Sequence, residues 1–84
     1  MYDHPIENIP DINSFLKFVE YLHTDLKQNS DKWENKTLED FLEALVRYGE
    51  GIQGYYDNTN QKIDSNIASW KVFADLLKGA SIYE

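Results

Sequence analysis

Residues 37–48, Thr37-Leu38-Glu39-Asp40-Phe41-Leu42-Glu43-Ala44-Leu45-Val46-Arg47-Tyr48, decide the fold of this chain. Apolar side chains recur at 38, 41, 42 and 45, the three- and four-residue steps of one face of an α-helix. Thr37 precedes the first of them as an N-cap. Asp40 stands three residues on, a variant of the capping box, which usually has Glu or Gln there. Glu39 and Asp40 also suit the positive end of the helix dipole. Ile52 extends the apolar face and Val46 flanks it. Gly49, Gly51 and Gly54 each weaken a helix by about 1 kcal/mol relative to alanine. The helix is therefore predicted to end, bend or restart between Tyr48 and Tyr56, with room for an extra short helix around 49–56.

The same periodicity appears on both sides. Upstream, Ile12, Phe15, Leu16, Val19, Leu22 and Leu26 predict a helix from about Asp11 to Gln28, with Asp11 as N-cap and Lys27 at the C-terminal end. Residues 1–10, which hold both prolines, read as an extended lead-in. Asn29-Ser30-Asp31 breaks the pattern and Trp33 sits in a short connector. Downstream, 57–66 (DNTNQKIDSN) reads as a polar loop. A third helix begins near 67–70, capped by Ser69 or Ser65, with Trp70, Phe73, Leu76, Leu77 and Ala80 as its stripe. Lys78-Gly79 reads as its stop and 81–84 as a tail folded back on Ile82 and Tyr83. The expectation is one all-α domain over 1–84, a compact antiparallel bundle of three main helices.

The chain has 84 residues, eight Lys and Arg against fifteen Asp and Glu, for a net charge of −7. Its basic residues are scattered, which argues against direct nucleic-acid binding, because phosphate backbones need clustered cations. An anionic membrane surface is disfavoured for the same reason. No apolar run approaches a membrane span, and the first ten residues lack a signal-peptide pattern. Cysteine is absent; a secreted domain this small usually carries disulfides, so the expected compartment is the cytoplasm.

Motifs that suggest chemistry dissolve on inspection. Gly49-Glu50-Gly51-Ile52-Gln53-Gly54 matches G-x-G-x-x-G, but a helix rather than a strand precedes it. Asp57-Asn58-Thr59-Asn60-Gln61 imitates a calcium loop, yet Lys62 and Ala68 stand where Gly and Glu are required. His4 and His23 fall on different segments, with no second nitrogen ligand at metal spacing. Asn35-Lys36-Thr37 has the form of a glycosylation sequon that a cytoplasmic protein would not use. Glu39 and Glu43 lie one turn apart, facing water rather than the dry pocket that acid–base work needs. No catalytic residues, metal ligands or cofactor are expected, and the chain is not expected to be an enzyme.

Two features point instead to docking. Glu39, Asp40, Glu43 and Glu50 form an acidic face suited to steering a cationic partner. Aromatics are dense, with two Trp and six Tyr, and such side chains anchor protein interfaces. Tyr55 and Tyr56 are adjacent and cannot both face one core, so at least one is expected to be partly exposed. The candidate partner-binding set is Glu39, Asp40, Glu43, Glu50, Tyr55, Tyr56, Asp57 and Trp33.

Trp33-Glu34-Asn35-Lys36-Thr37-Leu38, Phe41-Leu42-Glu43-Ala44, Gly54-Tyr55-Tyr56, Ser69-Trp70-Lys71-Val72-Phe73-Ala74 and Ile82-Tyr83-Glu84 together resemble an uncharacterised bacterial family of small acidic helical proteins. That resemblance spans nearly the whole chain and implies a stand-alone bacterial cytosolic protein. Size, charge and a Tyr-Tyr pair beside a polar acidic loop are also similar to the immunity proteins of colicin nucleases. This second resemblance implies Tyr55 and Tyr56 as contacts to a basic toxin surface. That family's proline after the tyrosines is Asp57 here, and its acidic helix corresponds to the stretch from Glu39 to Glu50. The expected function is an acidic protein-binding module, most concretely a toxin-neutralising immunity protein that occludes a basic protein partner. The rival expectations are a nucleic-acid-mimicking inhibitor of a DNA-binding enzyme and a small structural or regulatory subunit.

Overall fold

A computed structural model describes residues 8–84. The greater part of the expected lead-in, and His4 with it, lies outside the described residues. Three helices follow one another: α1 (Ile12–Gln28), α2 (Leu38–Asn58) and α3 (Trp70–Ile82), with a single 3-10 turn at Ser30–Lys32. Among the described residues there is no strand. Each helix starts where its cap residue dictates. Asp11 accepts from the Ser14 N–H at 2.9 Å, and Ser14 Oγ accepts in return from the Asp11 N–H. Thr37 Oγ1 accepts from the Asp40 N–H, and Ser69 Oγ from the Val72 N–H, both at 3.1 Å.

Helix α3 is the centre of the molecule. Its buried residues, Val72, Ala74, Asp75, Gly79, Ala80 and Ser81, are distributed around most of its circumference, so it needs cover on two sides. Helix α1 packs on one side and α2 on the other, while α1 and α2 make little direct contact with each other. The core accordingly has two lobes. Ile9, Phe18, Leu22, Trp33 and Ala74 form the first, and Ile52, Tyr56 and Val72 the second. The connector from Trp33 to Thr37 is clasped to the end of α3. The Glu34 and Asn35 N–H groups donate to the Ser81 carbonyl, and Asn35 Nδ2 donates to the carbonyls of Ala80 and Tyr83 at 2.9 and 2.7 Å.

The glycine run does not interrupt α2, which continues unbroken to Asn58 without an extra short helix. Burial of Ile52 within the run and Tyr56 beyond it, at about 1.5–3 kcal/mol each, offsets the glycines' propensity cost of about 1 kcal/mol each. The polar loop consequently starts at Thr59, two residues later than its composition suggests. There Asn60 takes the left-handed conformation (φ 60°), and the Gln61 and Asn60 N–H groups close on the carbonyls of Tyr56 and Asp57, a Schellman end. Gln53 holds the loop in place by donating to the Ile63 carbonyl and accepting from the Ser65 N–H.

Lys78-Gly79 is not a stop either. Helix α3 runs through it to Ile82, because Gly79 leaves space for the ring of Tyr48 on α2, whose carbons lie where a Cβ would stand. The tail is only partly folded back. Tyr83 meets Tyr48 edge-on at 5.8 Å, yet remains 40% exposed, and Ile82 faces outward from the last turn at 55%.

Candidate functional site

The apolar stripes are wider than the surface that α3 can cover, and the excess defines the site. Leu38 is 72% exposed, Val46 63% and Leu42 50%, in one i, i+4, i+8 row on α2. Ile12, Leu16 and Val19 form the matching exposed row on α1. Between the two helices lies an open trough of about 420 Å³. Val19, Leu22, His23 and Leu26 wall it on one side, Leu38 and Phe41 on the other, with Leu77 contributed by α3. Trp33 also lines it, stacked on Phe41 with centroids 6.4 Å apart. Lys36 is the single cation among the lining residues.

Helical geometry sets the acidic residues on another side of α2 from this trough, whose lining holds no carboxylate. Glu39, Glu43, Glu50 and Asp57 recur at four and seven residues, so they form a stripe along α2 opposite its buried face and bordering the Leu38–Leu42–Val46 row. All four are exposed. Asp40 and Glu43 also line a concavity of about 150 Å³ with Glu34, Arg47, Tyr83 and Glu84. Asn35 lines both depressions, so the first turns of α2 separate an acidic hollow from an apolar one. Compensation is sparse: the one ion pair on this face among the described residues joins Arg47 to Glu43 at 3.4 Å, with both side chains exposed.

The candidate set divides under this geometry. Glu39, Asp40, Glu43, Glu50 and Asp57 are exposed, and so is Tyr55 at 46%. Tyr56 is not an exposed anchor. It is fully buried, and its hydroxyl donates to Asp75 Oδ2 at 2.6 Å while Lys71 Nζ donates to the same oxygen at 2.7 Å. Neighbours on a helix differ by 100° in direction, so with Tyr56 turned to the core Tyr55 must face out. Trp33 is also withdrawn, at 8% exposure, because its indole N–H donates to Asp25 at 2.8 Å. The exposed row Leu38–Leu42–Val46 was missed as a candidate because its spacing is that of a core face.

Two buried carboxylates shape the chemistry here. Burial, and then the bond to Asp75, push the Tyr56 phenol well above its ordinary pKa, so it keeps its proton as a donor. Asp25 accepts from Trp33 and from Asn29 Nδ2, and the indole bond chiefly holds its carboxyl below the usual 3.8 despite burial. The ionised Asp25 therefore stabilises the fold fully above its unfolded pKa, and this contribution is lost as pH falls from there through the lower folded value. Thermal melts from pH 6 to pH 2 should show Asp25→Asn with a weaker acid dependence than the native chain. An unchanged dependence would contradict this role.

Among the described residues, no three His, Asp, Glu or Cys side chains converge so as to hold a metal ion. Nor, among those residues, is any helix long and apolar enough to cross a membrane. No curated protein and no solved structure matches the chain. A family model does match it, over residues 12–84, from the first residue of α1 to Glu84. The chain belongs to that family, a family of unknown function (DUF7660).

Proposed function

We propose that this chain is a protein-binding module that presents the acidic stripe of α2 to a basic protein and acts by occluding it, most concretely as an immunity protein in a bacterial toxin system. The observation that carries this reading is the run of exposed, sparsely paired carboxylates Glu39, Glu43, Glu50 and Asp57 on the side of α2 opposite the core. Like charge held in one row on a rigid helix raises the encounter rate with a cationic surface, by about 10- to 1,000-fold at low salt. Tyr55, half exposed on the same helix, supplies an aromatic contact.

Charge density favours a protein partner over mimicry of nucleic acid. From Glu39 to Asp57 the helix rises about 27 Å, and the stripe with Asp40 places five carboxylates on that length. One charge per about 5 Å is roughly a third of the density of duplex DNA, which carries one per about 1.7 Å of axis.

The test is affinity capture from the native host with the native chain and with a Glu39→Lys/Glu43→Lys/Glu50→Lys variant. All three positions are exposed, so the fold should survive, which circular dichroism would check. A basic protein retained by the native chain, released by salt and absent from the variant is the expected result. Identical retention by both chains would count against the proposal.

A further inference from the structure

Leu38, Leu42 and Val46 on α2, with Ile12, Leu16 and Val19 on α1, are apolar side chains that the fold leaves in solvent. Together they reach the upper end of the about 300–600 Å² spanned by the largest apolar patch of an ordinary monomer. A homodimer interface takes about 800 Å² from each copy, of which about 65%, or about 500 Å², is apolar. One copy therefore presents about the apolar area that pairing with a second requires.

The shape of the patch suits the same occupant. Helices α1 and α2 pack on α3 and scarcely on each other, so their exposed rows are two ridges with the trough of about 420 Å³ between them. A closed pair of identical chains needs a surface that fits itself across a two-fold axis. Ridges beside a trough meet that condition, because the α2 ridge of each copy enters the trough of the other, as side-chain rows enter grooves where helices pack.

Charge permits the pairing. Each copy carries −7, yet no carboxylate lines the trough, and Lys36 is the one cation among its lining residues. The Glu39–Glu43–Glu50 stripe lies on another side of α2 from Phe41, so trough-to-trough contact buries no carboxylate. What remains is long-range repulsion between two anionic bodies, which salt screens.

We infer that two copies of this chain pair through the α1–α2 trough, the Leu38–Leu42–Val46 ridge of each seated against Val19, Phe41 and Leu77 of the other. The inference goes beyond the acidic docking face and stands apart from it, since the pair leaves the stripe of both copies in solvent. Like charge on the two copies places the Kd at about 1–100 μM, the weak end for an interface of about 1,600 Å².

Sedimentation equilibrium of the full chain, from about 1 μM to 1 mM and at about 50 and 500 mM NaCl, tests the pairing. The expected result is a monomer–dimer equilibrium that tightens at least threefold at the higher salt. Leu38→Gln/Leu42→Gln, which changes no charge at two exposed positions, should weaken it at least tenfold with the helical circular dichroism retained. The Glu39→Lys/Glu43→Lys/Glu50→Lys variant should dimerise at least as tightly as the native chain, although the acidic docking face is lost in it. A chain monomeric throughout, or a dimer indifferent to Leu38→Gln/Leu42→Gln, would overturn the inference. So would a dimer that salt or the lysine variant dissolves, because the stripe itself would then be the contact.

Discussion

Phe18→Ala should lower the stability of the chain by about 3–5 kcal/mol, a large share of what holds a domain of this size together. Phe18 is fully buried in the lobe that joins α1 to α3, beside Leu22, Trp33 and Ala74. Truncation removes the transfer free energy of the ring and opens a cavity that fixed helices cannot close. At about 0.05–0.15 kcal/mol per residue, a domain of 84 residues has about 4–13 kcal/mol in total. Urea denaturation followed by circular dichroism measures the effect. A loss under about 1 kcal/mol would mean that α1 is not held through this lobe. The exposed neighbour Leu16 provides the contrast, since Leu16→Ala should shift the midpoint only slightly.

Gly79→Ala and Gly51→Ala should move stability in opposite directions. Both glycines lie inside helices, so alanine improves helix propensity by about 1 kcal/mol at each. A Cβ at Gly51 meets nothing within 4 Å, and Gly51→Ala should stabilise the chain by about 0.5–1 kcal/mol. A Cβ at Gly79 falls on the ring carbons of Tyr48. That ring is wedged against the second lobe and against Tyr83, so it must swing outward as a unit. The overpacking cost of about 1–3 kcal/mol then dominates, and Gly79→Ala should be destabilised. Thermal melts of the two variants beside the native chain suffice. Equal stabilisation of both would show that Tyr48 does not pack over α3.

The helices were legible in the sequence because capping and periodicity are local. Asp11, Thr37 and Ser69 each begin a helix with the expected side-chain bond. The glycines misled because their effect depends on distant partners. The propensity cost at 49–54 is offset by Ile52 and Tyr56 reaching α3, and Gly79 serves Tyr48 rather than a helix end. Periodicity also cannot say how much of an apolar stripe will be covered. Leu38 and Phe41 read alike, yet one stands in solvent and the other stacks on Trp33.

The candidate site was partly legible for the same reason. A carboxylate stripe opposite a core face follows from helical spacing alone, which is why Glu39, Glu43 and Glu50 lie where the pattern put them. Tyr56 and Trp33 are buried in the two lobes with their polar atoms satisfied by Asp75 and Asp25, partners that no local spacing reveals. The bordering row Leu38–Leu42–Val46 became visible only once α1 and α2 were seen to stand apart on α3.

The proposed docking depends most on the stripe of α2 drawing in a basic protein. Stopped-flow association of the captured partner with the native chain, across about 20–500 mM salt, tests this directly, since screening shortens the reach of surface charge from tens of ångströms to a few. The rate is predicted to fall at least tenfold over that range for the native chain, and to be slower and nearly flat for the Glu39→Lys/Glu43→Lys/Glu50→Lys variant. A native rate indifferent to salt would contradict it.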